Sequence, residues 1–370
     1  MKITRIRLFR TELPYVGGAY GWGRGNVIET ALSSVVVIDT DAGLSGSGEF
    51  CPCGENYIEA FSHGVEAAAR ILAPALFGED PRELGRINQI MDHAIRGHGY
   101  AKTPFDIACW DLLAKSVGLP LYVLLGGKLV DGAPMYRVAP QGEPDAMRTE
   151  MERLRDVGYR QFQVKVGADW RKDIERIGAT IPELMDGERA FADANQGWTV
   201  DEAVRVARAT RGLNYFLEQP CRTYEECLQV RKRSDLPMKL DECITDMHMI
   251  QRVVQDRSAE AICLKISKQG GLTKARLMRD YLVEHRIPVV AEDTWGGEIT
   301  TAALAHFAAS TPPDFLVNTT DLHNYNTRST GHPKPVTSGG KLYASDQPGH
   351  GVEPDYDSLG GPVASYGALL

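Results

Sequence analysis

No run in this chain approaches the roughly 20 consecutive apolar residues that cross a bilayer, so no membrane partner is expected. The first residues, Met1-Lys-Ile-Thr-Arg-Ile-Arg7, alternate in polarity and lack the apolar core of a secretory signal, which makes the cytoplasm the expected compartment. Basic charge is not in surplus. Lys and Arg total 41 against 49 Asp and Glu, a formal net charge of -8, and a nucleic-acid partner would call for a basic face. A cysteine framework is missing too: seven cysteines, an odd number at irregular spacing, fit reduced thiols. Cys51-Pro-Cys53 has no second Cys/His pair at zinc spacing. Asn318-Thr-Thr320 matches a glycosylation sequon but lacks the secretion signal that would give it meaning. What is present is a globular composition, 43% hydrophobic over 370 residues, with room for two domains. The expectation is an enzyme of small molecules.

The chain is organised around Phe191 to Asp241. Three short apolar runs there end in carboxylates: Phe191-Ala-Asp193-Ala-Asn195, Tyr215-Phe-Leu-Glu218-Gln-Pro220 and Met238-Lys-Leu-Asp241-Glu242. Runs this short, bounded by Pro, Gly or charge, read as buried strands, and the segments between them, Thr199 to Arg211 and Thr223 to Ser234, read as helices. Asp193, Glu218 and Asp241 thus recur about once per strand-helix unit. On parallel strands their ends lie side by side. Three converging anions are tolerated around a cation, and an all-oxygen ligand set favours Mg2+, with Mn2+ as the alternative.

The first fifty residues read as a β-meander, with strands from Ile3, from Ser34 and from Leu44 and a turn at Thr40-Asp-Ala-Gly43. Gly17 to Gly25 is rich in glycine and has two readings: a surface loop, or a lid whose Tyr20, Trp22 and Arg24 touch substrate. Tyr57 to Leu72, Pro81 to Ile95 and Thr103 to Val117 have helical periodicity, with Pro104 expected in a first turn and Gly118 at a helix end. From Ala133 the rhythm becomes strand-helix alternation. Strands are expected at Met135-Val138, Gln161-Val166, Ala190-Ala194, Tyr215-Glu218, Met238-Asp241, Ala261-Lys265, Val289-Glu292 and Phe315-Asn318. Eight strands with helices between them imply a closed parallel barrel, an open doubly wound sheet being the alternative. The tail after about 330 is expected to fold back onto the first domain, with Ser358 to Pro362 as a surface strap.

Six strand ends supply Lys165, Asp193, Glu218, Asp241, Lys265 and Asp293, on the face where such barrels carry their active sites. The two lysines belong to strands two and six and so face each other. A substrate carboxylate on the metal would hold its α-carbon between them, one lysine acting as base and the other as acid. The cation's field is expected to lower a lysine pKa and free the base. Asn195 and Glu242 are expected to orient the ligands, and Lys268 to brace Lys265 or pair with an acid.

The series Lys165-Val-Gly, Asp193-Ala-Asn, Glu218-Gln-Pro, Leu240-Asp-Glu and Leu264-Lys-Ile-Ser-Lys-Gln-Gly-Gly resembles the enolase superfamily, specifically its mandelate racemase/muconate lactonizing enzyme group. The resemblance covers essentially the whole chain, Trp110-Asp111 and Leu124-Leu-Gly-Gly127 included. It implies an α/β fold, a modified TIM barrel (β/α)7β with an N-terminal α+β capping domain. The cap would span residues 1–127, the barrel 128–330, and a C-terminal segment, 331–370, would return to the cap. No histidine lies on strand seven, so the Lys165/Lys265 pair resembles the muconate-lactonizing type. Gly97-His-Gly-Tyr-Ala-Lys102, Glu292-Asp-Thr-Trp-Gly-Gly297 and Thr319-Thr-Asp321 are similar to members acting on proline derivatives. The implied substrate is a cyclic amino-acid derivative, and the implied reaction dehydration of cis-3-hydroxy-L-proline, with epimerisation of proline or 4-hydroxyproline betaines, or another isomerisation of the muconate-lactonizing type, as the alternatives. Asp293 and Trp295 would meet the ring ammonium. Thr320 and Asp321 would add contacts, Glu292 would be either a substrate contact or a structural pair, and His98 and Tyr100 are candidates to face the site from the cap. A homo-oligomer is implied by the resemblance alone.

Overall fold

Ile3–Pro14, with mostly alternating burial, is one of the two inner strands of a small four-stranded antiparallel sheet. It pairs with Thr30–Thr40, which returns through a turn to Ser45–Phe50. The fourth strand, Ala364–Gly367, comes from the far end of the chain and sets Tyr366 opposite Ile6. The computed structural model describes residues 1–367, apart from the side chain of Arg24.

Helices Gly64–Leu76, Leu84–Ala94 and Gly99–Val117 cover this sheet. The third lies so close to Ser45–Phe50 that a Cβ at Gly48 would sit 2.1 Å from the Pro104 carbonyl oxygen. Two details differ from the periodicity. The first helix starts at Gly64, because the stretch before it is a loop that sends Tyr57 into the barrel mouth. The third starts at Gly99, so Pro104 lies inside the helix and not in its first turn; Tyr100 and Ala101 are buried in the cap core and hold the extra turn. Gly118 ends this helix at φ 69°, a conformation that costs a residue with a side chain, and its N–H reaches the Ala114 and Lys115 carbonyls.

The barrel strands are Tyr136–Ala139, Gln161–Lys165, Arg189–Asp193, Phe216–Glu218, Met238–Leu240, Ala261–Lys265, Val289–Glu292 and Leu316–Thr319. All are parallel and paired in chain order, and a parallel bridge between Met135 and Thr319 joins first to last. The sheet is therefore closed, which removes the open alternative. Inward positions fill the interior with Phe191, Phe216, Ala261, Cys263, Val290 and Val317. Outward positions pack on the surrounding helices. Two of those helices carry reciprocal capping boxes, Thr199 with Glu202 and Thr223 with Glu226.

Two buried carboxylates join cap to barrel. Asp106 accepts from the backbone N–H of Thr273 at 3.0 Å and its hydroxyl at 2.6 Å, and Trp110 Nε1 donates to the same hydroxyl at 2.9 Å. Glu49 accepts from the N–H groups of Gly297 at 2.8 Å and Thr300 at 2.9 Å, so a cap strand satisfies the first turn of barrel helix Glu298–Ala309. In the tail, Tyr356–Leu359 is a short helical turn where the sequence suggests a strap. Among the described residues no helix is long and apolar enough to cross a membrane.

Candidate active site

Parallel register brings the charged strand ends together. Lys165 lies opposite Asp193, Asp193 opposite Glu218, Glu218 opposite Lys239, and Lys265 opposite Glu292. Lys165 Nζ is 2.6 Å from Asp193 Oδ2 and 3.0 Å from Asn195 Oδ1. Asn195, at φ 42°, passes the contact on to Glu242 Oε1 at 2.8 Å. Lys265 Nζ is 2.7 Å from Asp241 Oδ2 and 3.0 Å from Glu292 Oε2. Lys239 Nζ is 2.7 Å from Glu218 Oε1 and lies over the Phe191 ring at 4.9 Å. Lys268 donates to the main-chain oxygens of Asp241 and Glu242 at 2.7 and 2.9 Å, bracing that strand end more than Lys265 itself.

Burial pulls the Lys165 and Lys265 ammonium groups down, but the facing groups outweigh it. Asp193 and Glu218 raise Lys165, and Asp241 and Cys263 raise Lys265 far. The side chains by themselves therefore hold both lysines charged, and the lowering expected from a cation would act against that pull once the metal is bound. Asp241, though buried, is kept well below the usual carboxylate range by Lys265 and Lys268. Burial pushes Glu242 up to about 8, helped by Asp241 and Asp193. Burial and Asp293 push Glu292 up to about 8, against which its 3.0 Å contact with the Lys265 ammonium favours the anion.

Asp193, Glu218 and Asp241 could hold a divalent cation. Glu218 is raised by burial and by both acidic neighbours, a repulsion that a cation between them would relieve. Asp241 Oδ1 is buried without a hydrogen-bond partner. Three carboxylates on adjacent strand ends make the oxygen-only set that hard cations prefer. A second trio, Asp241, Cys263 and Glu292, brings its ligand atoms within 4.8 Å of one another. That space is the seat of Lys265 Nζ, which is 3.6 Å from the Cys263 sulfur, and burial pushes the thiol up to about 12. A protonated thiol is a poor ligand.

Lys165 and Lys265 line one small cavity, and Tyr20, Trp22, Glu292, Asp293, Trp295 and Thr320 line it with them. The glycine-rich segment is a two-stranded ribbon, Tyr20–Trp22 with Asn26–Ile28, whose two aromatic residues are buried against Trp295 and Tyr57. That burial at the cavity is unlike an exposed surface loop; the Arg24 side chain lies outside the described residues. Asp293 is held by the backbone N–H of Ser267 at 3.1 Å, the Ser267 hydroxyl and the Thr294 N–H at 2.7 Å. These bonds oppose the burial that pushes it up to about 6. Three expected residues stay off the cavity. Asp321 turns to Arg137 at 3.3 Å and Asn324 at 2.8 Å, because a buried acid takes the nearest cation and donor. His98 is exposed at the start of its helix, and Tyr100 is buried in the cap core.

Tyr57, Tyr136 and Gln163, which line the cavity, and Lys239 and Cys263, which pair with Glu218 and Glu292, are among the residues that escaped the sequence reading. Gln163, Lys239 and Cys263 each stand two positions before a strand-end residue, so alternation along the strand puts them on the same inner face. Tyr136 shares the inner face of the first barrel strand with Val138. Tyr57, whose hydroxyl donates to Asp241 Oδ2 at 3.1 Å, comes from the cap and carries no local signal.

Residues 146–358 match the family described as enolase C-terminal domain-like. Residues 25–126 match the mandelate racemase/muconate lactonizing enzyme N-terminal domain. The chain is 48% identical over 366 residues to a cis-3-hydroxy-L-proline dehydratase of Roseibium aggregatum, covering 99% of this chain and 100% of that protein. A mandelate racemase/muconate lactonizing enzyme structure from Roseovarius nubinhibens ISM superposes with a TM-score of 0.97 at 64% identity, over 99% of each chain. Another from that organism, complexed with magnesium, gives 0.96 at 36% identity, over 99% of this chain and 100% of the other.

Proposed function

The chain belongs to the mandelate racemase/muconate lactonizing enzyme group of the enolase superfamily, and on that premise we propose that it dehydrates cis-3-hydroxy-L-proline to Δ1-pyrroline-2-carboxylate. One observation carries the chemistry: Lys165 and Lys265, from strands two and six, line one cavity, and the carboxylates of strands three, four and five lie between them. The full-length similarity to a dehydratase of this substrate supports the choice of reaction.

In cis-3-hydroxy-L-proline the hydroxyl shares a ring face with the carboxylate, so the α-hydrogen is on the opposite face. Elimination then calls for a base on one face and an acid on the other. One lysine, as the free amine, takes the α-proton. The other, as ammonium, gives a proton to the hydroxyl, which leaves as water while the electron pair of the broken C–H bond forms the C2–C3 double bond. The enamine becomes the Δ1 imine when its N–H proton moves to C3. Mg2+ held by Asp193, Glu218 and Asp241 would stabilise the negative charge that gathers on the substrate carboxylate as the α-proton leaves, and the magnesium complex of a relative supports that choice over Mn2+. Asp293, fixed by Ser267 and Thr294, supplies negative charge for the ring ammonium, and Trp295 its aromatic face. Tyr20 and Trp22 shield the reacting carbon from water.

A second reading, epimerisation of a proline betaine, draws on the aromatic lining, which Tyr57, Tyr136 and Tyr325 extend. A quaternary ammonium without an N–H relies on such faces. Proton NMR in D2O with Mg2+ decides. Dehydration predicts loss of cis-3-hydroxy-L-proline signals and growth of Δ1-pyrroline-2-carboxylate. Deuterium at the α-carbon of a betaine, with its epimer accumulating and the hydroxyproline untouched, would replace the dehydratase with the epimerase.

A further inference from the structure

Glu292 borders the cavity, yet both of its oxygens are already engaged. The Tyr136 hydroxyl donates to Oε1. Oε2 accepts from Lys265 Nζ at 3.0 Å and from the Cys263 thiol. The residue is 5% exposed, so little of it is left to meet a substrate. Seen from Lys265, the ammonium rests between two carboxylates, Asp241 at 2.7 Å and Glu292 at 3.0 Å, with the Tyr57 ring 5.5 Å away. Asp241 is a proposed cation ligand, so with the metal bound its lone pairs would be shared between two cations. Glu292 has no such second duty. Tyr136 belongs to the first barrel strand and Glu292 to the seventh, so their bond reaches across the eighth strand between them and restrains the Glu292 carboxylate.

We propose that Glu292, restrained by Tyr136, is a positioning residue that aims Lys265 at the ring face it serves, and is not a substrate contact. This rests on the reading of Lys165 and Lys265 as the two proton-transfer groups. Cys263 completes the seat from the same strand as Lys265, two residues below it on the inner face.

A positioning role for one lysine has a signature that a structural role lacks. L-Proline and D-proline present their α-hydrogens to opposite faces and have no leaving group, so α-deuterium exchange reads each face separately. The magnesium-loaded wild type, Lys165→Ala, Lys265→Ala, Glu292→Gln and Tyr136→Phe would be compared for exchange of both enantiomers and for kcat and KM of dehydration. Glu292→Gln should lose exchange about tenfold on the enantiomer that Lys265→Ala abolishes, and stay within about twofold on the other. Its dehydration should show a lower kcat with KM within about twofold of wild type. Tyr136→Phe should shift the same readouts in the same direction by less, and it keeps the comparison usable if Glu292→Gln folds poorly. Equal loss on both enantiomers, a raised KM with kcat unchanged, or unchanged rates in both variants would overturn the proposal. If Lys165→Ala and Lys265→Ala lose the same enantiomer, the two-lysine reading falls, and this inference with it.

Discussion

Lys165 and Lys265 are each seated on a carboxylate, at 2.6 Å from Asp193 and 2.7 Å from Asp241, so their ammonium groups reach the cavity in fixed directions. Lys165→Ala and Lys265→Ala should each lower dehydration by about 10²–10⁴-fold, the usual worth of a positioned proton-transfer group, with circular dichroism unchanged. Activity within tenfold of wild type in either variant would sink the mechanism. Lys239 has a different task. It is fully buried beside Glu218, with no reach to a substrate bound above it. Lys239→Met should cost about 3 kcal/mol in urea denaturation, since breaking a buried pair leaves a carboxylate without its partner. A loss below about 1 kcal/mol would mean that Gln163, which donates to both Glu218 oxygens at 3.2 and 3.1 Å, suffices alone.

Among the elements, the junction of cap strand Ser45–Phe50 with barrel helix Glu298–Ala309 bears most directly on the site. Glu49 accepts hydrogen bonds from Ser33, Gly297, Thr300 and Thr330, and two residues later Cys51 bridges to Trp295. The loop carrying Asp293 and Trp295 is thus held at both ends of that contact. Glu49→Ala leaves several buried donors unpaired and should cost about 3 kcal/mol or more, read as a lowered denaturation midpoint. Glu49→Gln, which keeps acceptor oxygen but adds donors, should fall between the two. A midpoint unchanged in Glu49→Ala would show that the helix N-terminus finds other acceptors.

On the scale of the whole molecule, two buried histidines outside the cavity should each remove stability in mild acid. His306 accepts from the Tyr122 N–H at 3.0 Å and donates to the His350 carbonyl at 3.2 Å, a pattern only the neutral ring can make. Burial and His350 push it down to about 3, and burial with Lys334 and Arg137 pushes His323 down to about 4. Because these folded values lie below the ordinary 6.5, the unfolded chain takes up protons first. The part of the stability that depends on the two neutral rings is complete above about pH 6.5 and is lost as pH falls toward 3 to 4, by about 1.4 kcal/mol per pH unit for each histidine, while Glu242 and Glu292, raised by burial to about 8, act in the opposite sense. Urea midpoints at pH 7, 6 and 5 test this. His306→Leu should be weaker at pH 7 and show a shallower acid limb; a limb as steep as wild type would assign the loss to other groups.

Much of this was legible along the chain. The eight barrel strands, the helices between them and the strand-end positions of Lys165, Asp193, Glu218, Asp241 and Lys265 follow from local periodicity, because strand and helix repeat at different intervals and a polar residue ending an apolar run marks where a buried strand surfaces. Inward neighbours such as Gln163 and Lys239 were within reach of the same alternation. Tertiary structure alone decided the partners. Sequence places Asp321 at a strand end just as it places Asp293, yet Arg137 draws one away while Ser267 holds the other at the cavity. It cannot tell that Glu292 faces Lys265 and Tyr136, that Tyr57 leaves the cap to meet Asp241, or that residues near 366 complete the sheet begun at Ile3. Those contacts join residues far apart in the chain, and their geometry exists only once the barrel has closed and the cap has docked on it.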